Sequence, residues 1–168
     1  MSALRLAGII RESIVDGPGL RFVVFAQGCP HHCPGCHNPE TWALEGGFET
    51  TPQRLLEEMA KNPLLRGVTL SGGEPFCQPG ALAEVAEGVR ALGQDVLTYT
   101  GYLYEELTRM AQEDDGVARL LCATDVLIDG PFRLAERSLE LRFRGSRNQR
   151  AIDVPASLAR GAVVETEL

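Results

Sequence analysis

Nine consecutive residues, Cys29-Pro30-His31-His32-Cys33-Pro34-Gly35-Cys36-His37, hold three of the chain's five cysteines and all three of its histidines. Three thiolates spaced CxxxCxxC in one short loop are soft ligands for one metal centre, and they leave a fourth position without a cysteine. An iron-sulfur cluster with one open iron, where a substrate can bind, fits that pattern. A closed zinc site of three cysteines and a histidine, completed by His37, is the alternative. Zinc ligands usually come as two separated pairs, so the crowding favours iron and sulfur.

A second group follows the short apolar run Gly67-Val68-Thr69-Leu70: Ser71-Gly72-Gly73-Glu74-Pro75. Glycines let a backbone approach a ligand closely, and Glu74 is an acceptor for an ammonium group. Thr98-Tyr99-Thr100-Gly101-Tyr102 and Asp129-Gly130-Pro131-Phe132 close two later apolar runs. Trp42 reads as a core residue, and His31 and His32 as exposed loop histidines. Cys77 and Cys122 read as buried small hydrophobes.

The elements that must position these groups are regular. Strands are expected at 21–26, 67–70, 95–100 and 125–129. Helices are expected at 51–59, with Thr51 as N-cap and Pro52 in the first turn, at 81–92, stopped by Gly93, and at 103–112. Strand ends near 71, 100 and 129 recur at the length of one strand-helix-strand unit, which predicts an α/β fold with a parallel sheet and outer helices. Chemistry in such folds sits at the C-terminal strand ends. A closed eight-stranded barrel takes about 250 residues. At 168 residues the expectation is one domain, 1–168, built as an open partial barrel whose lateral mouth can admit a partner's loop.

Hydrophobic residues at 44% and charged residues at 23% are those of a soluble globular protein, and no apolar run is long enough to span a membrane. The start of the chain lacks the apolar core of a secretory signal, so the expected location is the cytoplasm, where clustered thiols mean metal or redox chemistry. The net charge of -7 argues against a nucleic-acid partner. The segment 131–150 runs the other way, with six arginines (133, 137, 142, 144, 147 and 150) against Glu136 and Glu140. It is either a solvated face or a docking surface for an acidic partner or a phosphate-bearing ligand.

CxxxCxxC after the first strand and Gly72-Gly73-Glu74-Pro75 after the second resemble the radical S-adenosylmethionine enzymes. Asp16-Gly17-Pro18-Gly19-Leu20-Arg21, together with Gly28-Cys29 and Cys36-His37-Asn38-Pro39-Glu40-Thr41-Trp42, resembles the activating enzymes of glycyl radical enzymes. Val126-Leu127-Ile128-Asp129-Gly130-Pro131-Phe132 and Phe143-Arg144-Gly145-Ser146-Arg147-Asn148-Gln149-Arg150 resemble, more narrowly, the activating proteins of anaerobic ribonucleoside-triphosphate reductases.

The resemblance implies that Cys29, Cys33 and Cys36 hold three irons of a 4Fe-4S cluster while S-adenosylmethionine chelates the fourth. Reductive cleavage then gives methionine and a 5'-deoxyadenosyl radical, which takes hydrogen from a glycine of the reductase. No catalytic residue beyond cluster and cofactor is implied. The implied cofactor-binding residues are Gly72, Gly73 and Glu74 at the methionyl amine, with Thr100 and Asp129 beside the cofactor. Many relatives carry an aromatic residue at position 35; here Gly35 leaves the adenine to lean on the Cys36-His37 backbone. The implied partners are the large reductase subunit and an electron donor such as flavodoxin. The rivals are activation of another glycyl radical enzyme, a short radical enzyme acting on a small molecule such as a deazapurine precursor, and a non-catalytic zinc-binding module.

Overall fold

The computed structural model describes residues 3–36, 39–43 and 45–168. At its centre four strands run parallel: β2 (Arg21–Ala26), β4 (Gly67–Gly72), β5 (Asp95–Tyr99) and β6 (Val126–Asp129). Their registers set Phe22 beside Val68, Val68 beside Val96, and Thr98 beside Leu127. These are the strands that sequence periodicity predicts.

The flanks depart from that prediction. β1 (Leu4–Ser13), β3 (Phe48–Thr50) and β7 (Arg150–Asp153) extend the sheet to seven strands in the order β3-β1-β2-β4-β5-β6-β7. β1 pairs antiparallel with both β2 and β3, and β7 pairs antiparallel with β6. The sheet is therefore mixed and open rather than parallel throughout. The connection 14–20 is too short for the crossover that a parallel neighbour needs, which forces the reversal at β1.

Among the described residues five α-helices accompany the sheet: α1 (Pro52–Ala60), α2 (Pro79–Ala91), α3 (Tyr104–Met110), α4 (Asp115–Ala123) and α5 (Val154–Arg160). Thr51 caps α1, its hydroxyl accepting from the Arg54 N–H at 3.3 Å. α4 is not among the helices expected from the sequence; Asp114 is its N-cap, accepting from the Val117 N–H.

Strand alternation gives the sheet two unlike faces. Phe22, Val24, Val68, Leu70, Val96 and Leu127 pack with Leu55, Met59, Leu82, Val85, Leu107 and Leu120 of the helices in the main core. Each such side chain stabilises by about 1.5–3 kcal/mol. The other face holds a smaller apolar patch, Leu97, Ile128 and Ala151. Two loops contact that face: Thr69 Oγ1 donates to the Asp16 carbonyl at 2.9 Å, and the Tyr99 hydroxyl donates to the Phe143 carbonyl at 2.5 Å. Among the described residues no helix is long and apolar enough to cross a membrane.

Candidate functional site

A cavity of about 350 Å³ lies over the C-terminal ends of the parallel strands and runs onto the loop-covered face. Cys29, Cys33 and Cys36 line one part of it, beside Ser71 and Gly72 at the end of β4, Gly73 just after it, and Thr100 and Gly101 after β5. Asp16, Tyr99, Phe143 and Arg144 line it as well. All four stand in stretches the sequence singles out, Asp16 at the head of the 16–21 motif, Tyr99 at the end of an apolar run and Phe143 and Arg144 at the head of the 143–150 motif, but none of those signals assigns them to the site.

The two glycines where β4 ends answer first to backbone packing. A Cβ on Gly72, whose φ is +91°, would lie 2.5 Å from the Ala26 nitrogen, and one on Gly73 would lie 2.3 Å from the Gly28 carbonyl oxygen. The turn is thereby pressed against the root of the cysteine loop, where the Gly73 N–H donates to the Ala26 carbonyl and the Glu74 N–H to the Gly28 carbonyl, each at 2.7 Å. Only glycine permits that approach, and it leaves the turn's backbone in the cavity wall.

Glu74 is fully buried and lies behind the wall rather than in it. Its carboxylate accepts from the Phe76 N–H at 3.0 Å, the Gly101 N–H at 2.8 Å, and the Thr100 hydroxyl at 2.9 Å from both oxygens. His31 completes the set, with Nε2 2.6 Å from Oε1. Thr100 thus serves the wall and Glu74 together.

Asp129 is not brought into the wall; Gly130 is. Alternation turns Asp129 to the helix face with Leu127, where it is fully buried and accepts from the Tyr104 N–H at 2.8 Å. Arg150 closes on it with Nη2 2.6 Å from Oδ2 and reaches Glu105 at the same distance. Those two acids hold the Arg150 guanidinium above its usual range, hydrogen bonding to Asp129 first, and Arg150 holds Glu105 below its own. Arg150 therefore leaves the set of arginines free for docking.

Gly35 has φ +75°, and a Cβ there would meet Leu134 Cδ1 at 3.0 Å and Phe132 Cε2 at 3.3 Å. Phe132 lines the cavity, so the aromatic surface beside position 35 comes from the segment after β6. His37 lies outside the described residues.

Several sequence readings are revised here. His31 is not a free loop histidine: its ring meets Tyr102 edge-on with centroids 4.5 Å apart, besides contacting Glu74. His32 is exposed, but it stacks on Trp42 at 4.6 Å, and Trp42 lines the cavity instead of the core. Cys77 and Cys122 are exposed rather than buried. Cys77 ends the short turn after Pro75, where partial burial first and the charge of Glu74 second push its thiol up to about 11. Arg21, the last residue of the 16–21 motif, is buried and holds the 14–20 loop. Its guanidinium donates to Thr69 Oγ1, the Pro18 carbonyl and the Val68 carbonyl, and pairs with Asp95 at 2.6 Å.

Burial raises the thiols of Cys29 and Cys33, and the charge of Glu74 adds to both. The thiolate is the form that binds metal, so loading a metal centre in this loop releases protons. Among the described residues no three Cys, His, Asp or Glu side chains close on one metal-ion position. A four-iron cluster gives each thiolate its own iron, so its donors stand farther apart than those of a single ion.

Residues 15–152 match the family model described as a 4Fe-4S single cluster domain. An anaerobic ribonucleoside-triphosphate reductase-activating protein of Vibrio cholerae is 35% identical over 145 residues, covering 81% of this chain and 89% of the relative. The protein of that name from enterobacteria phage T4 is 34% identical over 146 residues, covering 81% of this chain and 85% of its own. A pyruvate formate-lyase-activating enzyme of Clostridium pasteurianum is 37% identical over 117 residues, 66% of this chain and 49% of the enzyme. With its cysteine loop and strand-end turns gathered on one cavity, this chain belongs to the radical S-adenosylmethionine family built on a single 4Fe-4S cluster domain.

Proposed function

We propose that this chain activates an anaerobic ribonucleoside-triphosphate reductase. The observation that carries the reading is the meeting of Cys29, Cys33 and Cys36 with the turn 71–73 on one cavity. The donor set fits the cluster: three soft thiols, those of Cys29 and Cys33 raised by burial, in a loop rooted against a glycine turn. When bound, the reduced cluster and S-adenosylmethionine supply the cleavage and hydrogen abstraction that leave a glycyl radical on the reductase.

The chain's own work is binding and orientation. Cys29, Cys33 and Cys36 hold the cluster. Gly72 and Gly73 offer backbone to the methionyl amine, and Glu74 supplies negative charge from behind, kept in place by Thr100, Gly101 and Phe76. Gly35 and Phe132 flank the adenine. Asp129 acts at a distance, anchoring the segment after β6 through Arg150. The single domain, 1–168, is an open partial barrel, and the reductase's glycine loop enters along the loop-covered face. Flavodoxin donates the electron, in a reducing cytoplasm that keeps the thiols available.

Anaerobic reconstitution followed by dithionite and S-adenosylmethionine tests this. The expected results are four irons per chain, methionine and 5'-deoxyadenosine as products, and a glycyl radical signal when the reductase is added. A colourless protein with tightly bound zinc would refute the reading.

A further inference from the structure

Among the described residues the cysteine loop meets the rest of the site at its root, at His31 and where the Cys33 thiol meets the Phe132 backbone. Its root is tied by backbone: the Gly28 N–H donates to the Thr41 carbonyl at 2.6 Å and the Cys29 N–H to the Trp42 carbonyl at 3.2 Å. Beyond Cys29 the chain turns out through Pro30, and His31 turns back in. It stands two residues after Cys29 and two before Cys33, and its Nε2 lies 2.6 Å from the fully buried Glu74 carboxylate. A carboxylate only accepts, so the imidazole N–H donates in this contact.

The seat is closely shaped to the ring. Tyr102 meets it edge-on, and a Cβ on Gly101 would fall 2.4 Å from His31 Cδ2. The other donors to Glu74 come from Phe76, Thr100 and Gly101, in the turns after β4 and β5. An ionised carboxylate has about four acceptor sites. The N–H groups of Phe76, Gly101 and His31 and the Thr100 hydroxyl are four donors, so His31 takes the one acceptor that the strand ends leave over.

We propose that His31 is a positioning residue that locks the cysteine loop to the strand-end turn, so that a cluster's open iron and the amine cradle keep one fixed spacing. The inference rests on the proposed function, since it concerns how the same cavity holds cluster and cofactor. Chelation by amine and carboxylate at one iron demands that spacing, and misplacement by about 1 Å costs on the order of a hundredfold in such sites. Removal of a residue that orients a ligand from outside typically costs about ten- to a hundredfold.

The test compares His31→Ala, His31→Gln and Gly101→Ala with the wild type after reconstitution. The readouts are iron content, equilibrium binding of S-adenosylmethionine, and the change it causes in the electron paramagnetic resonance of the reduced cluster. His31→Ala is expected to keep its iron, bind S-adenosylmethionine about ten- to a hundredfold more weakly, and lose the spectral change. His31→Gln, which retains a donor for Glu74, should restore most of both. Gly101→Ala, which pushes the ring from its seat without altering the loop's sequence, should reproduce the loss. Wild-type affinity and spectra in His31→Ala would overturn the proposal. Should His31→Ala fail to hold iron, Gly101→Ala decides: loaded and unaffected, it overturns the proposal; loaded and weakened in binding, it supports it. A wild-type cluster that does not respond to S-adenosylmethionine would instead defeat the proposed function itself.

Discussion

The two faces of the sheet are built from the same strands and do opposite work. On the helix face Phe22, Val24, Val68, Leu70 and Val96 are sealed under helices, with apolar contact as the cohesive force. On the loop face Arg21, Thr69 and Tyr99 point from those strands into hydrogen bonds with loops, and the cavity lies among them. Polar contacts to loops fix direction while adding little net stability, whereas packed hydrocarbon adds stability with little direction. The molecule separates the two tasks by the alternation of each strand. Damage to one face should therefore spare the property carried by the other.

The strongest way to break that separation is Cys36→Ala. Cluster absorbance and cofactor cleavage should vanish entirely, while the metal-free protein melts at the wild-type temperature; a large drop in melting temperature would show that the cysteine loop also carries the fold. Leu70→Ala is the mirror experiment. A cavity in the main core should cost about 2–5 kcal/mol, lowering the melting temperature by roughly 5–15 °C, yet the surviving folded protein should still load iron.

Asp95→Asn sharpens the comparison at the border between the faces. It weakens a charge-assisted pair to buried Arg21 and should cost about 1–3 kcal/mol. Amide exchange should quicken in 14–20 before it does in β4 or β5; uniform quickening would mean that the loop has no stability of its own. The smallest effect belongs to the arginine segment. Changing exposed Arg137, Arg142 and Arg147 to Gln should leave melting and cofactor cleavage unchanged but weaken reductase binding severalfold at low salt, the difference shrinking as salt rises. Equal binding by variant and wild type at low salt would make these arginines a solvated face.

Much of the site was legible in the chain because its motifs are local. CxxxCxxC places three thiols in one loop whatever surrounds it, and apolar runs ending in glycine turns locate the ends of β4 and β6. β1, β3 and β7 were not legible. β3 and β7 have only three and four residues, and β1 carries three consecutive exposed residues, Ile10, Arg11 and Glu12, which break the alternation. Trp42 misled because a lone tryptophan usually fills a core, whereas this one lies in a loop against His32.

By itself the sequence determined the chemistry on offer, soft thiols beside a glycine turn, and the four central strands, because spacing and period 2 act over a few residues. Only the tertiary structure decided where side chains point and what they meet. Asp129 stands at a strand end, as expected, yet faces the helices and Arg150, 21 residues away in the chain. His31 lies in the metal loop but spends its N–H on Glu74, 43 residues away. Alternation says which residues share a face; it does not say whether a helix, a loop or a cavity will cover that face, because the cover comes from distant segments whose docking depends on the whole fold.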